Sequence, residues 1–259
     1  MSIKFKEPPI SELVIATYFN PPLLKLRSEH VGLFWSSIKK EFPTITQNPP
    51  HGSIDIGSEG EIFPMPRYWI ISKDDISLIQ LQKNAFMFNW RRREKEYPHY
   101  DNLKEAFDRH YGHFADFIRD DVGIENPSID VCELTYINMI EPCEYWSGIS
   151  DTNAVIPSFF PLTIGRSDIS CPSFNAVFAY ALDDTLQLRV TIRDAKSKAE
   201  PTKPVLVFEI RATGRLGGVS KSDADKWFDK GHSAIIDCFL GLTNPDIQHT
   251  YWIPIEDTS

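Results

Sequence analysis

Apolar and polar residues alternate along several segments of this chain, and the alternation predicts β-strands. From Leu186 to Arg193 the apolar residues hold the even positions, while glutamine, arginine and threonine hold the odd ones. Within Ile76 to Gln82, Ile79 and Leu81 oppose Gln80 and Gln82, and within Ala85 to Arg91, Phe86, Phe88 and Trp90 oppose Met87, Asn89 and Arg91. Because successive side chains of a strand point to opposite faces of a sheet, each of these strands has one apolar and one polar side.

A three-stranded meander is predicted within the segment "RYWIISKDDISLIQLQKNAFMFNWR". Its strands are Arg67 to Lys73, Ile76 to Gln82 and Ala85 to Arg91, and Asp74-Asp75 and Lys83-Asn84 form the turns between them. Aspartate and asparagine suit such two-residue turns because they tolerate positive φ. A second set of three strands is predicted in "FNAVFAYAL", "TLQLRVTIRDA" and "PVLVFEIRATGR", with the dipeptide Asp183-Asp184 joining the first two.

Helical spacing of apolar residues separates these strands. Leu23 to Ile38 and Leu103 to Ile118 each place their apolar residues on one helical face, and a long helix is expected from Ser222 to Leu242. Prolines bound a single strand at Ile10 to Phe19, and another strand is expected at Asp130 to Glu141. The Pro-, Gly- and Ser-rich residues 44–66 predict a long loop with room for a short edge strand, and "NAVIPSFFPLTIG" has room for a short helix.

This order of elements predicts an α+β fold with antiparallel sheet. Strand, helix, three strands and helix are followed by the same plan with a weakened first helix, which indicates a structural pseudo-duplication. The halves are residues 1–125 and 126–259, and we expect them to form one compact unit. Helices should pack on one face of the sheet and leave the other face, which carries the polar side chains, open.

Composition narrows the classes of partner. The 259 residues carry 27 basic and 36 acidic side chains, a net charge of −9, which argues against general nucleic-acid or anionic-membrane binding. The N-terminus lacks the apolar run of a signal peptide, and no window is apolar enough for a membrane span, so we expect a cytoplasmic protein. Four cysteines without a Cys-x-x-Cys pair indicate reduced, mostly buried thiols.

No motif assembles a catalytic or metal-binding constellation. His110, His113 and Asp116 have a spacing that metal ligands use, but His110 falls within the apolar stripe of its helix and should pack on the sheet. Cys132 lies in an apolar strand without a glycine-rich elbow, and "GRLGGVS" lacks the lysine of a P-loop. The sequence therefore predicts no catalytic residue, no metal and no cofactor. On the strand at Asp130 to Glu141, Glu133 and Thr135 lie on the opposite side from Tyr136 and Asn138, so one of these pairs must face inward and needs a partner or a ligand.

The polar sides of the two meanders carry amide and guanidinium groups, which offer several hydrogen-bond donors each and suit recognition of a polar or anionic group. The alternative is mutual pairing across strands, such as Arg189 with Glu209. Arg92 and Arg93 lie beyond their strand and should form a solvated, ion-paired end. The candidate binding residues are Gln80, Gln82, Asn89, Arg91, Arg189, Arg193 and Arg211.

Several segments together resemble a known family: "PPISELVIATYF", "RYWIISKDDISLIQLQKNAFMFNWR", "TYINMIE" and "LTNPDIQHTYW". They are similar to a sporadically distributed bacterial family of uncharacterised proteins of about this length. The family has a Pro-Pro-x-x-Glu opening strand, a Leu-Gln-Leu-Gln…Phe-Asn-Trp-Arg hairpin and a Leu-Thr-x-Pro helix end. The resemblance covers nearly the whole chain and implies no catalytic residues. Its patchy distribution suggests mobile loci such as toxin–antitoxin or phage-defence cassettes.

The leading functional hypothesis is a non-catalytic binding or accessory protein. Its open polar sheet face would hold a protein or peptide segment or a small polar ligand, and a homo-oligomer stays possible. The alternative is an enzyme acting on a nucleotide or phosphoester, with the arginines holding phosphate. Binding of single-stranded nucleic acid would need exposed aromatic rings. Trp90 alternates with Phe86 and Phe88 and is therefore expected in the core.

Overall fold

The segments with period-two alternation form antiparallel strands and the segments with helical spacing form helices, so the protein has an α+β fold. The structure is a computed structural model, and it describes residues 3–50, 65–94, 96–159, 171–197, 200–216 and 220–255. The pseudo-duplication stays a prediction.

Helices and groups of strands follow one another along the described residues in the expected order. The strands are β1 (Lys4–Phe5), β2 (Ile10–Phe19), β3 (Thr44–Asn48), β4 (Arg67–Ile71), β5 (Ser77–Gln82), β6 (Ala85–Arg91), β7 (Ile129–Ile140), β8 (Asn175–Asp183), β9 (Leu186–Lys196), β10 (Pro204–Arg215) and β11 (Pro254–Ile255). The helices are α1 (Ser28–Ile38), α2 (His99–Phe117), α3 (Thr152–Val155), α4 (Lys221–Leu242) and α5 (Pro245–Ile247).

Most boundaries follow from local sequence signals. β2 has the bounds that its flanking prolines predict, and Asp75 in the β4–β5 turn has a φ of 58°, as expected for a tight aspartate turn. At α5, the Asn244 side chain accepts a hydrogen bond from the backbone of Asp246, and Pro245 holds the first helical position. β3 is the short edge strand expected in residues 44–66, whereas residues 51–64 lie outside the described part.

The described residues divide into two units whose boundaries differ from the expected halves. Unit 1 takes its residues from Met1–Glu12, Leu134–Thr213 and Asp229–Ser259, and unit 2 takes its residues from Leu13–Glu133 and Gly214–Phe228. Each unit therefore combines segments that are distant in sequence. The elements β2, β7, β10 and α4 each contribute residues to both units.

Unit 2 places its strands in the order β3-β4-β5-β6-β2 and packs helices on one side of them. Phe86 on β6 contacts the rings of Phe107, Tyr111 and Phe114 on α2, with centroid distances of 5.2–5.9 Å. Trp90 is buried on the same side, so it belongs to the core as the alternation predicts. These aromatic contacts fix which side of the meander faces α2 and which side carries the polar residues.

Unit 1 places its strands in the order β7-β10-β9-β8, with β8 at the edge, and pairs β1 with β11 separately. The C-terminal part of α4 covers one side of these strands. Phe239 on that helix stacks on Phe208 of β10 at 6.0 Å, and His232 stacks on Tyr136 of β7 at 5.9 Å. The opposite side carries the odd-numbered residues of β9.

Of the helices in the described part of the chain, none combines the length and the apolar character that crossing a lipid bilayer requires.

Candidate functional site

The polar side of the meander in unit 2 is buried, not open. The strand register places Gln80, Gln82 and Asn89 on the side opposite α2, as the alternation predicts. All three residues are at most 6% exposed, and Gln80 Nε2 donates a hydrogen bond of 2.8 Å to Asn89 Oδ1. Gln82 Nε2 donates to Asn84 Oδ1 at 2.5 Å. The expectation of a solvent-open face therefore fails for these three residues, because they are withdrawn from solvent and bond to neighbouring amides.

Arg91 lies at the end of this polar side and is held in an ion pair. Its Nη2 donates to Asp75 Oδ1 at 2.5 Å, and Arg93 donates to the other carboxylate oxygen of Asp75 at 2.6 Å. Asp75 occupies the β4–β5 turn, and therefore the turn carries the counterion for both arginines. The expected ion-paired end at Arg93 is thus present, and Arg91 shares its carboxylate.

Two further residues on this side were not among the candidates. Trp69 is the cross-strand neighbour of Gln80, and the Arg67 guanidinium lies 5.5 Å from the Trp69 ring centre. Extending the alternation of β5 into β4 could have identified both of them, had the register been known. Four buried side-chain atoms on this side lack a hydrogen-bond partner in the described part of the chain: Arg67 Nε, Trp69 Nε1, Gln80 Oε1 and Arg91 Nε.

In unit 1 the polar side of β9 is open to solvent, as expected. Leu186, Leu188 and Val190 are buried, whereas Arg189 and Arg193 are exposed. Among the described residues no carboxylate pairs with either of these two arginines. The open-face expectation therefore describes β9 correctly.

The register of β9 and β10 brings two arginines side by side. Arg189 lies directly opposite Arg211, and Glu209 lies opposite Thr191. The expected pair of Arg189 with Glu209 is therefore replaced by a hydrogen bond of 3.0 Å from Arg211 Nη2 to Glu209 Oε1, along one strand. Like charges in directly opposite positions destabilise a sheet, and a bound anion would relieve that repulsion. Arg193 follows two residues beyond Thr191 on the same side and extends the positive stripe.

A small cavity of about 30 Å³ lies in unit 1 under the α4 side of the sheet. It borders Asn138, whose Nδ2 donates to the backbone oxygen of Phe208 at 3.0 Å. Asn138 is 1% exposed, and its Oδ1 has no partner within the described residues. The neighbouring Tyr136 hydroxyl bonds to His232 Nδ1 at 2.9 Å. Tyr136 and Asn138 are thus the inward polar pair that the sequence required on this strand, and each has a partner. The cavity has room for about one water molecule.

A cluster of four charges connects α2 with the start of α4 in unit 2. Lys104 Nζ bonds to Asp108 at 2.7 Å and to Asp225 at 2.6 Å, and Lys221 bonds to the same two carboxylates. Burial lowers the pKa of Lys104, but its two carboxylate hydrogen bonds outweigh burial, so the net shift is upward. Two lysines and two aspartates therefore neutralise each other where the two helices meet, and removal of one member would leave a partly buried charge without its partner.

Cys132 and His110, the residues that the sequence raised as a nucleophile and a metal ligand, are both buried. Cys132 is fully buried, and burial raises the pKa of its thiol to about 12, so the reactive thiolate is absent near neutral pH. His110 packs between Phe88 and Phe42, with ring-centre distances of 5.5 and 5.1 Å, as its place in the apolar stripe predicts. Within the part of the chain that the structure describes, no group of three or more His, Cys, Asp or Glu side chains could hold a metal ion.

Comparison with known proteins gives no match, either to a family model or to a curated protein sequence.

Proposed function

We propose that this protein is a non-catalytic binding protein, and that the open polar side of β9 and β10 holds an anionic segment of a partner or a small anionic ligand. The observation that carries the proposal is the direct opposition of Arg189 and Arg211, with Arg193 further along the same side. The exposed guanidinium groups of Arg189 and Arg193 offer several fixed donors each, in a geometry that suits carboxylate or phosphate.

The net charge of −9 means that an anion would bind only where positive charge is concentrated locally. Over the surface as a whole an anion is repelled, so general anion binding is disfavoured. Arg189 and Arg193 concentrate positive charge at one place, and Glu209 neutralises only Arg211 by a direct hydrogen bond. Binding at this face therefore depends on position, and we expect it to weaken as salt screens the exposed charges.

The test uses fluorescein-labelled decaglutamate as the probe, with binding followed by fluorescence anisotropy in low salt. Two exposed ion pairs contribute about 1–2 kcal/mol together, so Arg189→Ala/Arg193→Ala should weaken binding roughly 5- to 30-fold. The matched control is Lys39→Ala/Lys40→Ala, which removes the same number of positive charges from an exposed helix end in unit 2. Equal weakening by both double variants would mean that only total charge matters, and the proposal would fail.

A nucleotide panel separates the alternative, an enzyme acting on a nucleotide or phosphoester. In a thermal-shift screen, a specific ligand at a hundred times its Kd stabilises the folded state by about 2.7 kcal/mol. Stabilisation by one nucleotide that Arg189→Ala/Arg193→Ala abolishes would favour that alternative. Stabilisation by none of them, together with decaglutamate binding, supports the binding-protein proposal.

A further inference from the structure

The outer edge of unit 1 is formed by β8, a nine-residue strand with apolar side chains in solvent. β8 pairs with β9 on one side, and no strand among the described residues pairs with its other side. Val177, Phe178, Tyr180 and Leu182 are each 44–47% exposed. Single exposed apolar side chains are ordinary, but Phe178 and Tyr180 lie two residues apart on the same side of this edge strand and are both exposed.

Residues 175–182 of β8 carry none of the side chains that usually protect a free edge against strand addition. Proteins blunt free edges with proline, lysine, inward charges or central bulges, whereas "NAVFAYAL" contains no proline and no charge. Its one register irregularity lies between Ala181 and Asp183, at the turn into β9. The central residues of β8 therefore present a regular edge of the kind to which an extended segment adds by backbone hydrogen bonds.

The direction of the free backbone groups follows from the register. The backbone nitrogen of Asp194 donates to the oxygen of Phe174 at 3.2 Å, in the register that continues the β8–β9 ladder. Because bonded and non-bonded pairs alternate in an antiparallel ladder, Phe178 directs its N–H and C=O toward β9. Val177, Ala179 and Ala181 direct theirs toward the open edge.

The two sides of this edge differ in chemistry. Phe178 lies opposite Val190 on the apolar side, whereas Ala179 lies opposite Arg189 and Asn175 lies opposite Arg193 on the polar side. A strand added outside β8 would lie roughly 9.5 Å from β9, two strand spacings away. Because Ala179 and Asn175 have short side chains, the guanidinium groups of Arg189 and Arg193 can extend over β8 toward the added strand.

We propose that β8 receives an extended segment of another protein in which acidic residues alternate with apolar ones. Its acidic side chains pair with Arg189 and Arg193, and its apolar side chains pack beside Phe178 and Tyr180. A second copy of this chain fits less well, because Asp183, the carboxylate of β8, is already paired with Lys230 at 2.6 Å and residues 175–182 carry no other. The inference rests on the proposed function and adds the partner class and the mode of binding.

The probes are two fluorescein-labelled, blocked nonapeptides, one alternating valine with glutamate and the other alternating valine with lysine. Wild-type protein should bind the glutamate peptide at least tenfold more tightly, since two exposed ion pairs separate the two peptides. Arg189→Glu/Arg193→Glu should invert this preference. Such an inversion would show that the charged side chains of the bound peptide lie next to residues 189 and 193.

The backbone contribution is tested by Ala179→Pro, which removes an outward N–H without removing a β8–β9 hydrogen bond. This variant should weaken binding of the glutamate nonapeptide at least tenfold, whereas Ala179→Ser keeps both the N–H and a short side chain and should leave the affinity within about twofold. A glutamate peptide with N-methylated backbone should also bind weakly to wild-type protein, and this arm alters nothing in the protein.

Three results would overturn the inference. If Ala179→Pro binds the glutamate peptide as wild-type protein does, and the N-methylated peptide also binds normally, then the partner does not bind by strand addition. Decaglutamate binding that still depends on the two arginines would, in that case, leave the proposed function intact. If Ala179→Pro loses affinity but the arginine variants have no effect, then the partner adds as a strand but its acidic side chains are not recognised by Arg189 and Arg193. A wild-type dimer in sedimentation that Ala179→Pro converts to monomer would identify a second copy as the occupant.

Discussion

His110 makes the stability of unit 2 depend on pH in a window that can be calculated. The ring is 5% exposed and lies against Phe42 and Phe88. Burial, with smaller contributions from the charges of Arg109 and His113, lowers the pKa of His110 from 6.5 to about 4. The folded protein therefore holds this imidazole neutral over a range in which the unfolded chain protonates it.

The sign and size follow from proton linkage. Between pH 6.5 and 4 the unfolded state binds the extra proton, so the free energy of unfolding falls as the pH falls. Each pKa unit corresponds to 1.36 kcal/mol, so the full loss by pH 4 is about 3 kcal/mol, and about 2 kcal/mol of it is lost by pH 5. Above pH 7.5 the contribution of His110 no longer changes with pH.

The assay is urea unfolding followed by tryptophan fluorescence between pH 7.5 and 5, where most carboxylates stay ionised. His110→Phe should remove most of the pH slope, because phenylalanine fits beside the two aromatic rings and does not titrate. His249→Gln, which removes an exposed histidine, is the control and should keep the wild-type slope. If His110→Phe and wild-type protein lose the same stability between pH 7.5 and 5, burial does not hold His110 neutral and the reasoning is refuted.

Three further predictions follow from contacts in the described residues. Lys104→Met should lower the free energy of unfolding, measured with urea, by about 2 kcal/mol, because Asp108 and Asp225 would then share one lysine. This value is smaller than for a fully buried pair because both carboxylates are partly exposed. Asn138→Asp should cost about 3 kcal/mol in the same assay, because a buried carboxylate would replace the donor to the Phe208 oxygen, and an unchanged midpoint would contradict this geometry. Ellman's reagent should titrate the two exposed thiols, Cys143 and Cys171, in native protein at pH 8 and all four thiols after unfolding. Rapid reaction of a third native thiol would contradict the slow reaction expected of buried Cys132 and partly buried Cys238, whose thiol pKa values burial raises to about 12 and about 11.

Local patterns in the sequence predict most elements because their causes are local. The prolines around β2 set its ends, since proline cannot continue a ladder, and the Asp74-Asp75 turn works because aspartate tolerates positive φ. The apolar stripe of α2 identifies His110 as a packing residue before any contact is known. The bounds of β10, Pro204–Arg215, coincide with the predicted segment for the same reason.

The candidate site was predictable only in part, because alternation assigns a side of the sheet and not what lies above it. Gln80 and Asn89 occupy the predicted side, yet both are buried and bond to each other. Arg189 and Arg193 obey the same rule and are exposed. Residue type and spacing are alike in the two meanders, and only the tertiary structure distinguishes them.

By itself the sequence determined the α+β class, most strand and helix positions and the polar character of one side of each meander, because these depend on side-chain period and turn chemistry over a few residues. The tertiary structure decided the strand register, which places Arg189 beside Arg211, and the strand order, which leaves β8 at an edge. Register and order depend on residues far apart in the chain, and their choice is made by packing on both sides of the sheet.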